Sequence, residues 1–171
     1  MNAASGSSPL TPNLKPLDIK PHTCYISNMN AMTRSYLETL IWSETIWPEV
    51  EGGTFEWEGC SYREGDSLDN LIEAEDLPKS IVEQAKEDCA GFVSYVEETL
   101  GFDVELHFDS KSVGHNFLLS RNGHGAGFFD GLWEVEGVNY NRKLQEAAET
   151  FGTIGLQVWV ENDELKIESH G

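Results

Sequence analysis

Four side chains between positions 115 and 130 are of types that do chemistry near neutral pH: His115, Arg121, His124 and Asp130. A carboxylate beside an imidazole orients it for general-base work, and a nearby guanidinium grips a phosphate or carboxylate with paired N–H groups. Between them lies Asn122-Gly123, a strong two-residue hairpin signal because both turn residues must take positive φ. Counting outward pairs Arg121 with His124, Leu119 with Ala126, Phe117 with Phe128 and His115 with Asp130, all on one face of a ribbon with period two. Such a cluster is either a small-ligand or catalytic site, or an ordinary set of polar cross-strand contacts. No G-x-S-x-G elbow, P-loop, HExxH helix or zinc-deaminase pattern accompanies it, so an enzyme is the second reading and no cofactor or metal is implied. Gly125 and Gly127 alternate on the opposite face, which predicts a close approach by another element.

Charge gives a different lead. Thirty acidic residues against eleven basic ones set the formal net charge at −19. Residues 1–30 sum to +1, residues 31–110 to −16 and residues 111–171 to −4, so eighty residues hold most of the excess. That field repels nucleic acid and anionic membrane and attracts basic protein surfaces, over a Debye length of about 8 Å at physiological salt. Glu49, Glu51, Glu56, Glu58, Glu83, Glu87, Asp88, Glu97 and Glu98 are the candidate partner-facing carboxylates, and Trp47 and Trp57 are the candidate aromatic anchors. Carboxylates spaced like phosphates would mimic DNA, which carries one charge per about 1.7 Å of duplex axis; plain solubility is the alternative. Trp42 and Trp133 add to an aromatic set too large for one small core, and the same rings could close a homodimer. The Asp66, Asp69 and Asp76 region lacks an EF-hand pattern. Cys24, Cys60 and Cys89 are odd in number and far apart, which points to reduced thiols in a cytosol; His22, Cys24 and Cys60 lack paired metal-ligand spacing.

These residues need a scaffold. Length and a hydrophobic content of 39% suit one domain. Residues 1–22 carry four prolines and read as a flexible arm; residues 23–171 read as a single acidic domain. Met32, Tyr36, Leu37, Leu40 and Ile41 recur at helical spacing, with Asn30 or Thr33 as cap. Positions 42–58 read as a surface loop, and Asp66 to Glu75 as a short helical turn. A second helix starts near Asp76, buries Ile81, Val82, Ala85, Cys89, Phe92, Val93, Val96 and Leu100, and stops at Gly101. Val104 to Phe108 alternates as a strand, a third helix around Leu144, Ala147, Ala148 and Phe151 ends at Gly152, and two last strands pair about Asn162-Asp163, with Val158 opposite Ile167. The expected fold is α+β, mostly antiparallel hairpins with about three helices on one face. No apolar run spans a membrane and no leader stands at Met1.

The segment Gly114-His115 to Asp130, with Tyr36-Leu37-Glu38-Thr39-Leu40-Ile41-Trp42-Ser43 and Glu87-Asp88-Cys89-Ala90-Gly91-Phe92, resembles a group of small bacteriophage-encoded proteins over roughly residues 34–167. Asn116 stands where an acidic residue is expected and Phe129 where a tryptophan is expected. The resemblance implies a phage protein acting in the bacterial host cytosol, and it transfers no catalytic residues. Together the readings point to a binding protein that inhibits or redirects a host protein with a basic, nucleic-acid-handling surface.

Overall fold

The computed structural model describes residues 29–47 and 53–171. The expected arm at 1–22, with His22, Cys24, Glu49 and Glu51, lies outside them. The first helix, α1 (Ala31–Ser43), forms as its spacing predicts: Asn30 accepts the Thr33 N–H at 2.8 Å, and Met32, Tyr36, Leu37, Leu40 and Ile41 are buried. Helix α2 (Lys79–Leu100) buries Ile81, Val82, Ala85, Cys89, Phe92 and Val96 and ends at Gly101 in the left-handed region. Helix α5 (Asn141–Glu149) buries Leu144, Ala147 and Ala148. The final hairpin, β5 (Gly155–Glu161) with β6 (Glu164–His170), has the anticipated register, Val158 opposite Ile167 and Val160 opposite Leu165, about Asn162-Asp163 at positive φ.

The segment from 104 to 130 corrects the sequence reading. Val104 to His107 forms a short helix, α3, instead of a strand, because Asp103 accepts the N–H groups of Glu105 and Leu106 and nucleates a turn that outweighs the two-residue alternation. Ser110–Arg121 is a helix, α4, so the 113–130 hairpin does not exist and neither do its cross-strand pairs. Asp109 caps α4, accepting from the Ser112 N–H at 2.8 Å and the Ser112 hydroxyl at 3.0 Å, and those bonds hold its pKa below the usual carboxylate range. Val113, Gly114, Phe117, Leu118 and Arg121 then repeat at three- and four-residue spacing on the buried side. Asn122-Gly123 terminates this helix. Asn122 stays right-handed, Gly123 takes φ 66°, and the N–H groups of Gly123 and His124 return to the carbonyls of Ser120 and Leu119, a Schellman cap.

Helices therefore dominate among the described residues: five of them, with three separate two-stranded antiparallel sheets. The mixture of α and β stands, but the mostly-sheet architecture with helices on one face does not. The other two sheets are β1 (Thr54–Trp57), within the expected loop, with β2 (Cys60–Arg63), and β3 (Glu134–Val135) with β4 (Val138–Asn139). Two 3-10 turns, Leu68–Asn70 and Ala74–Asp76, lie between β2 and α2. Packing centres on α1 against α4, whose backbones approach closely at Gly114: a Cβ there would stand 2.1 Å from the Met32 carbonyl oxygen. Phe92 stacks on Phe117 with centroids 4.3 Å apart, and Phe128 and Phe151 close around them, in one connected core.

Candidate functional site

Helix α4 sends the four residues of the expected His/Asp/Arg cluster to separate surroundings. Arg121, on its last turn, is buried where four elements meet. Nη1 donates to Asp88 Oδ2 at 2.6 Å and to Tyr36 Oη at 2.5 Å; Nε and Nη2 donate to the carbonyls of Gly152 and Phe151 at 2.8 and 2.7 Å. Gln84 holds the other Asp88 oxygen at 2.8 Å, and the Tyr36 hydroxyl donates to Oδ2 at 3.3 Å. Burial pushes the Tyr36 phenol well above the ordinary tyrosine range, with the neighbouring Arg121 charge opposing it. A guanidinium so engaged ties α1, α2 and α4 to the chain just after α5; its donors serve the fold instead of a ligand.

His115 faces α1. Thr39 donates its hydroxyl to the Ser35 carbonyl at 2.7 Å, so the 2.8 Å contact between Thr39 Oγ1 and His115 Nδ1 places the imidazole proton on Nδ1. The ring lies 6.2 Å from that of Trp42. His124 follows the helix cap and Asp130 closes the next turn through its backbone; both are exposed. No pair among the four is held as the hairpin geometry required. Elsewhere, burial raises the Glu44 carboxyl pKa against the opposing pull of His170, the Leu156 N–H and His124.

The acidic candidates divide as well. Glu83, Glu87, Glu97 and Glu98 project from the solvent side of α2, and Glu56 and Glu58 from the β1–β2 hairpin. Glu83 pairs with Lys86 at 3.0 Å. Asp88 is taken out of the partner-facing set by Arg121. Among the tryptophans, Trp133 is buried and Trp57 packs half-buried on the core, whereas Trp42 is 57% and Trp47 67% exposed. Trp42, named from the sequence among the surplus aromatics but not among the candidate anchors, is thus more exposed than Trp57. It stands four residues after Glu38 and off the buried stripe of α1, and that periodicity was the available signal.

Trp42 edges a cleft of about 510 Å³ between α1 and the two 3-10 turns. Buried Ile41 and Ile72 floor it, Glu38 extends the α1 wall, and exposed Asp69 and Glu73 stand on the other. At one end Arg34 reaches across to Glu75 at 2.6 Å, with Glu38 at 3.8 Å. Among the described residues no group of three or more His, Cys, Asp or Glu side chains is placed to hold a metal ion, and no helix is long and apolar enough to cross a membrane. Burial pushes the Cys89 thiol up to about 12, which keeps it protonated and inert, while Cys60 is exposed. No family model, curated protein or solved structure matches the chain.

Proposed function

We propose that this chain is a binding protein, phage-encoded as its sequence resemblance implies, that engages a basic surface on a protein of the bacterial host cytosol and inhibits or redirects it. The observation that carries this reading is the pair of exposed tryptophans, Trp42 on the last turn of α1 and Trp47 just after it, in a chain of net charge −19. Large exposed aromatics supply the desolvated contacts that dominate binding energy, and the surrounding charge selects a cationic partner and speeds its approach.

Charge complementarity is favoured over a phosphate-by-phosphate copy of DNA. From Glu83 to Glu98, α2 runs about 22 Å and carries four exposed carboxylates, roughly one per 6 Å against about one per 1.7 Å along a duplex. A DNA mimic would have to recruit carboxylates from other elements to reach that density.

Bacterial lysate passed over the immobilised protein tests the reading. A discrete basic protein should be retained at low salt and released as salt rises, and added duplex DNA should compete with it if its nucleic-acid surface is the one engaged. Absence of any specific retained protein, or retention indifferent to salt, would contradict the reading.

A further inference from the structure

Building on the binding function proposed above, we infer that the cleft between α1 and the 3-10 turns docks an arginine side chain from a basic segment of the partner. Its floor is apolar and its mouth holds Trp42, an indole more than half exposed, so the groove offers a surface for a side chain that is part hydrocarbon and part planar cation. The rim decides the occupant. Four carboxylates, Glu38, Asp69, Glu73 and Glu75, line the cleft against one guanidinium, Arg34, so the excess charge leaves an apolar ligand unpaired and disfavours an anion, whereas a second guanidinium meets complementary charge, stacks on the indole and is more weakly hydrated than an ammonium. The spacing of the walls suits such a group: Arg34 spans them at one end to reach Glu75. The methylene stem of an incoming arginine would lie over Ile41 and Ile72, and its head would reach the carboxylates beside Trp42.

Titration of the full chain with an octa-arginine peptide at constant ionic strength, followed by calorimetry, separates this docking from general attraction. Two triple variants remove equal charge: Glu38→Gln/Asp69→Asn/Glu73→Gln in the cleft, and Glu83→Gln/Glu97→Gln/Glu98→Gln on α2. The cleft variant should lose about tenfold or more in affinity and the α2 variant less than about threefold, with Trp42→Ala weakening binding without any change of charge. An octa-lysine peptide should bind less tightly than octa-arginine. Equal losses from the two triple variants, wild-type affinity in Trp42→Ala, or equal affinity for the two peptides would overturn the docking site and leave the broader binding reading standing. Failure of the wild-type chain to bind either peptide would sink both. Circular dichroism on each variant confirms that the helices persist; all the substituted side chains are exposed.

Discussion

Two arginine–carboxylate pairs in this protein have the same 2.6 Å separation and opposite meanings. The Arg121 and Asp88 side chains are 6% and 13% exposed, and those of Arg34 and Glu75 are 37% and 41% exposed. Water decides the difference. In the buried pair each charge has lost its hydration, so each depends on the other and on Tyr36, Gln84 and the carbonyls after α5. In the exposed pair solvent screens the attraction and replaces either partner at little cost, which leaves Glu75 and its neighbours free to exchange one cation for another. Distance alone would rank the two pairs as equals. Burial separates a clamp of the fold from a solvent-screened surface pair.

The largest way to break this contrast is Arg121→Ala, which strands Asp88 among buried groups and should lower the unfolding free energy by about 3–5 kcal/mol in urea titration. A loss under about 1 kcal/mol would place Arg121 with Arg34. Gly114→Ala probes the helix contact that brings Tyr36 near Arg121: its Cβ would overlap the Met32 carbonyl, so α1 and α4 must part, at about 1–3 kcal/mol by the same titration. Tyr36→Phe should cost about 1 kcal/mol at neutral pH through the lost hydrogen bonds. It also alters the alkaline limb. Burial raises the folded-state pKa of the phenol, so above the ordinary tyrosine value of about 10 the unfolded chain has released a proton that the folded chain retains, and stability falls as pH rises. Denaturation followed from pH 8 to pH 11 should show a shallower decline in Tyr36→Phe than in the wild type; matching slopes would contradict the assignment. Arg34→Ala, the smallest effect, should move stability by less than about 1 kcal/mol.

Much of the scaffold was legible because its signals are local. Apolar spacing located α1 and α2, Asn30 and Gly101 marked ends, and Asn162-Asp163 set the register of β5 with β6. The error at 113–130 came from a dipeptide with two uses. Asn-Gly makes a hairpin turn when both residues take positive φ, and it ends a helix when only the glycine does; the cap at Asp109 and the spacing of Val113, Phe117 and Arg121 favoured the second. Conversely, Glu58-Gly59 makes a hairpin turn with a weaker sequence signature, so β1 read as loop and β2 went unassigned. The clamp was illegible for another reason. Arg121 meets Asp88 and Tyr36 across 33 and 85 residues of chain, and no period or motif announces a contact of that separation. The cleft shares that difficulty: Trp42 and Glu38 show as the polar side of α1, but only folding brings Asp69 and Glu73 opposite them.

The contrast between inward and outward charge is tested most directly by heteronuclear NMR of the Nε–H groups of the four arginines during addition of unlabelled octa-arginine. The Arg34 signal should shift progressively as the peptide competes for the cleft carboxylates, while the Arg121 signal stays in place and slow to exchange with solvent. An Arg34 signal that is unmoved while the peptide binds, or an Arg121 signal that moves with it, would contradict the account.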